Sequence, residues 1–230
     1  MSYDDIELPD VSALRVGIIG GTGPQGRGLA YRFARAGIQV MVGSRSTERG
    51  EQAAEELNAL PGVTATAVGG DNAFACQADV VVIAVPWEGH AATVAELAPL
   101  LLGGKIVVDC VNPLGFDKQG PFALPVPEGS AAEQAATLLP DARVCAAFHH
   151  VSAALLTDPE VTTIDLDVLV LGDDRDAALQ VQAIAGKVDG MRGVFAGRLR
   201  NAGQIEALTA NLIAINKRYK VHAGVRVTDL

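Results

Sequence analysis

The chain is poor in the residues that would mark several common classes of protein. Only 4% of its 230 residues are aromatic, and Trp87 is the single tryptophan. Cysteine occurs three times, at Cys76, Cys110 and Cys145, an odd number with no CxxC pair. That pattern speaks against zinc and dithiol redox chemistry, and the three are expected as buried thiols of a reducing cytoplasm. Positive charge is scarce, with 18 Lys and Arg against 27 Asp and Glu, a net charge of -9. Nucleic acids and anionic membrane surfaces reward clustered Lys and Arg, so neither is expected as a main partner. No apolar run approaches the roughly 20 residues that a membrane helix needs. Acidic residues (Asp4, Asp5, Glu7, Asp10) crowd the N-terminus, the opposite of a signal or transit peptide. Residues 1–12 are read as a solvated leader.

What the chain does have is apolar mass, at 49% of its residues, and regular punctuation. The length suits one α/β domain and a small second unit. Strands are expected at 14–20, 39–43, 64–68, 80–85 and 105–111. Helices are expected at 23–36, 47–60 and 88–102, the first stopped by Gly37 and the second by Pro61. The continuous apolar run Val80–Val85 is what a strand buried on both faces requires. Strand–helix alternation of this kind implies right-handed crossovers and a parallel sheet. Residues 112–129 hold four prolines and three glycines and read as a loop bordering a site. A helix at 130–139 and a strand at 143–147 complete a first domain over 13–150. Residues 151–230 read as a smaller α/β unit: strands at 168–171 and 193–196, a helix at 175–188, and a long apolar helix at 204–221. The fold class is therefore α/β, a Rossmann-type doubly wound parallel sheet with a small C-terminal unit.

Gly21-Thr22-Gly23-Pro24-Gln25-Gly26 fits G-x-G-x-x-G between an expected strand and an expected helix, the context that makes this motif specific. Gly21 would permit the tight turn, Gly23 the close approach of backbone to a pyrophosphate, and Gly26 the packing of helix on strand. The helix N-terminus would offer free N–H groups to phosphate, and Pro24 suits the first turn, where its missing N–H costs nothing. An NAD-binding chain carries a carboxylate about 20 residues past the glycines, for the ribose hydroxyls. Here that place holds Gly43-Ser44-Arg45, and no carboxylate occurs until Glu48. Ser44, Arg45 and Arg49, with Thr22 from the loop, would instead hold the 2′-phosphate of NADP.

Ligands in such sheets sit outside the carboxyl ends of the strands. Those ends carry Val85-Pro86-Trp87, Asn112-Pro113-Leu114 and Phe148-His149-His150-Val151. They could wall an apolar slot for the nicotinamide. Trp87 could equally be a packing residue, and the histidines a relay, substrate contacts, or one core and one surface residue. No metal-ligand spacing and no nucleophile triad stands out, which fits hydride transfer, where the cofactor carries the chemistry. Residue by residue, the reading stops there.

The chain resembles the family of F420H2:NADP+ oxidoreductases. The resemblance rests on Val16-Gly17-Ile18-Ile19-Gly20 with the glycine loop, Gly43-Ser44-Arg45 with Arg49, and Val85-Pro86-Trp87-Glu88. It continues through Asn112-Pro113-Leu114, Ala147-Phe148-His149 and Gly197-Arg198-Leu199-Arg200-Asn201-Ala202. It implies hydride transfer between C4 of nicotinamide and C5 of the deazaflavin coenzyme F420, with no catalytic side chain required. By it, Gly21, Thr22, Gly23, Pro24, Gln25, Gly26, Ser44, Arg45 and Arg49 hold NADP, and Val85, Pro86 and Ala153 flank the nicotinamide. Asn112, Leu114, His149 and Val151 would line the deazaflavin side. It further implies a cytoplasmic homodimer whose C-terminal unit closes the cleft. Lys217, Arg218 and Lys220 are read as a solvated helix end, the alternative being contact with the acidic polyglutamate tail of the deazaflavin cofactor. Two other readings stand beside it. One is an NADP-dependent reductase of a small imine or keto acid, using Asp117 or Lys118 as acid. The other is a non-catalytic NADP(H) redox sensor.

Overall fold

The computed structural model describes residues 3–230, so Met1 and Ser2 of the expected leader lie outside the described residues. Ten strands and eight α-helices follow in order. The first half contains β1 (Arg15–Ile19), α1 (Pro24–Arg35), β2 (Gln39–Ser44), α2 (Thr47–Asn58), β3 (Ala67–Asp71), α3 (Asn72–Ala75), β4 (Val80–Ile83), α4 (Trp87–Leu97) and β5 (Ile106–Asp109). The second half contains β6 (Leu114–Asp117), β7 (Gly120–Ala123), α5 (Ala131–Leu138), β8 (Arg143–Ala146), α6 (Ala153–Thr157), β9 (Leu166–Gly172), α7 (Arg175–Gly186), β10 (Met191–Gly197) and α8 (Ala202–Tyr219).

Eight strands form one sheet in the order β10-β9-β8-β5-β4-β1-β2-β3. The stretch from β3 to β8 is parallel throughout, and its order reverses between β1 and β4. The central strands are hydrophobic on both faces because helices cover both. Every residue of β4 and β5 is buried, and two apolar clusters lie on either side of the sheet.

Residues 151–230, expected as a separate unit, extend this sheet. β9 joins β8 antiparallel, with Cys145 opposite Gly172 and Ala146 opposite Leu171, and β10 then pairs parallel with β9. Val168, Val181 and Met191 share one apolar cluster with Val16 and Val80. The proline-rich stretch expected as a loop folds in part as the hairpin β6–β7, with Pro121 opposite Phe116. This short ribbon tolerates a proline because the main sheet does not enclose it. The leader is not wholly solvated either: Val11 is fully buried and Leu8 packs on the core.

Helix α6 was not foreseen. It lies so close across α1 that a Cβ on Gly28 would stand 2.5 Å from Leu156 Cβ. Arg32, buried in α1, donates to the carbonyls of Leu156, Val161 and Asp158 at 2.9, 2.6 and 2.8 Å, and also to that of Leu155. Leu155, Leu156 and Asp158 carry carbonyls that the end of a short helix leaves without partners, and the same guanidinium also reaches Val161 in the loop beyond.

Candidate nucleotide site

A cavity of about 430 Å³ opens beside the point where the strand order reverses. It is lined by Gly20, Thr22 and Gly23 from the loop after β1, and by Ser44, Arg45 and Arg49 at the end of β2 and in α2. Asn72, Ala84, Val85, Pro86, Gly89 and Thr93 complete its wall. Seven residues expected at the NADP site therefore meet in one place. The turn itself differs from expectation. The left-handed residue is Gly20, with φ of +75°, where a Cβ would lie 2.7 Å from Ala84 O. Gly21 has ordinary backbone and donates its N–H to Gly43 O at 2.8 Å. Gly26 performs the expected close packing, since a Cβ there would stand 2.6 Å from Gly20 O. At Gly23 the nearest atom to such a Cβ is 3.4 Å away, so its outer side is open. Pro24 begins α1, and Gln25 is held over the next loop by donating to Phe148 O at 3.2 Å.

Arg45 sits just before α2 rather than on it, with Ser46 as the helix cap. Arg45 and Arg49 are both exposed, and neither has an ion-pair partner among the described residues. No Asp or Glu lines the cavity among the described residues. Asp71 lies beside Ser44 in register, but its carboxylate accepts the Phe74 N–H at 2.7 Å and is committed as a helix cap. This corner therefore holds two uncommitted cations and no uncommitted carboxylate among the described residues. Asn72, which sequence reasoning missed, accepts the Gly20 N–H at 3.1 Å through Oδ1 and so braces the turn.

The other expected residues stand outside this lining. Val151 and His149 are buried, each 3% exposed. Neither ring nitrogen of His149 makes a well-formed hydrogen bond among the described residues, and burial, against weaker opposing effects of Asp109 and the backbone at Val111 and Cys110, pushes its pKa down to about 4, which favours the neutral ring. Its backbone carbonyl is gripped by Asn112 Nδ2 at 2.9 Å and by Thr209 Oγ1 at 3.2 Å. His150 is a core residue whose Nε2 accepts the Leu169 N–H at 3.3 Å. The preceding Phe148 has φ of +64°, an uncommon conformation that points the carbonyl toward Gln25. Leu114 is half-buried at the foot of the hairpin, and Ala153 opens α6. Trp87 proves to be a packing residue, stacked on His90 with ring centroids 5.6 Å apart. The cysteines are all buried free thiols, and burial pushes Cys76 up to about 11 and Cys145 up to about 12. No helix among the described residues is long and apolar enough to cross a membrane.

Sheet order, glycine turn and uncommitted arginines together are those of a dinucleotide-binding α/β protein with a basic corner at the end of β2. Residues 15–113 match the family model of coenzyme F420-dependent NADP oxidoreductases. Over 227 residues the chain is 38% identical to an F420-dependent NADP reductase of Methanothermobacter thermautotrophicus, covering 96% of this chain and 97% of that one. It is 36% identical to one from Methanocaldococcus jannaschii, over 94% of this chain and 99% of the other. A solved structure of a candidate F420-dependent NADP reductase from Arthrobacter sp. FB24 superposes with a TM-score of 0.78 at 25% identity, covering 94% of this chain and all 100% of that one. The chain belongs to the F420-dependent NADP oxidoreductase family.

Proposed function

We propose that this chain transfers a hydride reversibly between NADP(H) and coenzyme F420. The observation that carries the nucleotide half is the cavity that joins the turn at Gly20 to two arginines that, among the described residues, have no ion-pair partner and no acidic side chain beside them in the lining. Thr22, Gly23, Ser44, Arg45 and Arg49 hold the phosphates, while Val85 and Pro86 bound the nicotinamide side, with Ala153 beyond them. Bound together, the two ring systems supply the chemistry, a hydride passing between C4 of the nicotinamide and C5 of the deazaflavin. The protein's part is to orient them and exclude water. Asn112 and Leu114 border the deazaflavin side. His149, neutral and with no well-formed hydrogen bond at either ring nitrogen among the described residues, is the polar group beneath it, with Val151 alongside.

We also propose a cytoplasmic homodimer with residues 151–230 closing the cleft. Supporting it are three free thiols, and exposed Phe116 and Phe122 on the hairpin with Ile215 and Tyr219 on α8. The functional test is anaerobic mixing of protein, NADPH and oxidised F420. Rapid bleaching of the deazaflavin band, much slower with NADH, is the expected result. Tight NADPH binding without bleaching would reject the F420 half and leave the nucleotide half standing.

A further inference from the structure

His90 has no part in the reading above, yet it is the most firmly held polar side chain of α4. It is 0% exposed. Its Nε2 lies 2.6 Å from Asp109 Oδ2, and its Nδ1 lies 2.9 Å from Gln134 Oε1. The Gln134 amide is oriented from its other end, where Nε2 donates to Glu128 Oε2 at 3.3 Å. Both ring nitrogens thus face acceptors, and a ring that donates from both is an imidazolium. The charged groups around it are Asp109 from β5 and buried Glu206 from α8. From α5 comes the neutral Gln134, and behind it lies Glu128 from the loop that precedes α5. Glu206 accepts the N–H groups of Ala131 and Ala132 at 2.9 and 3.2 Å, which ties α8 to the start of α5. Burial opposes the His90 cation. The Asp109 bond and charge, the Gln134 bond and the Glu206 charge outweigh it and lift the ring above the ordinary imidazole pKa.

The location of this pair gives it a task. Helix α4 begins at Trp87, directly after Val85 and Pro86, and its Gly89 and Thr93 line the nucleotide cavity on either side of His90 in sequence. Asp109 ends β5, and its second oxygen accepts the Val111 N–H at 2.9 Å, fixing the turn that leads to Asn112 and Leu114. One buried histidine–carboxylate contact therefore joins the helix that follows Val85 and Pro86 to the segment that leads to Asn112 and Leu114.

We propose that His90 and Asp109 are positioning residues for hydride transfer, clamping α4 to the end of β5 so that the two walls of the cleft keep a fixed separation. The inference rests on the functional reading above. Hydride transfer is sensitive to such placement, since a misplacement of about 1 Å can cost about a hundredfold in rate.

The test uses the full chain and the substitutions His90→Gln, Asp109→Asn and Gln134→Met. Single-turnover transfer from NADPH to F420 is followed by stopped flow, and NADPH affinity by titration. In His90→Gln the transfer rate falls about tenfold or more while NADPH affinity changes less than about threefold. Asp109→Asn falls similarly, and the double variant is no slower than the slower single one. In the wild type the transfer rate declines at high pH as the imidazolium loses its proton. Gln134→Met, which removes one acceptor, moves that decline to lower pH. Should His90→Gln fail to fold, the wild-type and Gln134→Met profiles carry the test. Normal transfer by folded His90→Gln, or a pH profile unmoved by Gln134→Met, overturns the clamp while wild-type activity preserves the functional reading. A wild type that leaves F420 unbleached overturns both.

Discussion

Removing the Arg45 guanidinium tests the phosphate corner most directly. Arg45 lines the cavity beside Ser44 and Arg49, is exposed, and has no ion-pair partner among the described residues, so Arg45→Ala breaks no internal bond of the fold. On the proposed reading, what it deletes is a pair of charge-assisted hydrogen bonds to a 2′-phosphate. Such bonds contribute about 1.5–3 kcal/mol, and exposure to water places this site toward the lower end, at about 2 kcal/mol. That corresponds to about a thirtyfold rise in the Kd for NADPH. NADH has no such phosphate and loses only stacking of the guanidinium on adenine, about threefold. Calorimetric titration of both nucleotides against wild type, Arg45→Ala and Arg49→Ala measures the contrast. The double variant loses less than the sum of the two singles, because both cations face one anion. Equal losses for NADPH and NADH would refute the 2′-phosphate assignment.

The glycine loop separates packing from ligand contact. Gly26→Ala places a methyl 2.6 Å from Gly20 O and 2.8 Å from Gly21 Cα, both unyielding backbone, and lowers stability by about 1–3 kcal/mol in thermal denaturation. Gly23→Ala meets nothing nearer than 3.4 Å, so its melting temperature holds while NADPH binding weakens. Acid should destabilise the fold well above the carboxylate range. Burial lowers His149 and His150 to about 4 from 6.5, so the unfolded chain takes up protons first. Their stabilisation is complete above about pH 6.5 and is lost as pH falls toward 4, by about 3 kcal/mol per ring. Glu206, raised by burial to about 7, acts in the opposite sense, its stabilisation being lost as pH rises, and it offsets part of the slope. Urea denaturation from pH 7 to 4.5 should still show a net decline, and a flat profile would reject the buried neutral histidines.

The nucleotide end was legible in the sequence because its determinants are local. A glycine loop, a serine–arginine pair and a strand–helix rhythm all lie within some 35 residues of one another, from Gly20 to Ala54. The assignment of glycine duties was less legible: Gly20 and Gly21 are adjacent, and only the backbone shows which one turns. The hairpin β6–β7 was hidden by its own prolines and glycines, which carry the signature of a loop. The short helices α3 and α6 fall below the length at which periodicity speaks. His90 and Asp109 were passed over because 19 residues separate them and Asp109 closes an apolar strand. Their meeting is a property of the sheet order, which no local pattern encodes. His149 and Val151 sit at the expected strand end, but the turn at Phe148 folds them inward.

The antiparallel junction of β8 with β9 has a consequence for how this architecture can be cut and recombined. Severing this chain after His150 would strip β8 of its neighbour at Cys145 and Ala146 and leave a raw, apolar sheet edge ready to pair with another molecule. The two halves share one sheet and one apolar cluster, so a chimera that imports only the glycine loop's half inherits an aggregation problem along with the loop.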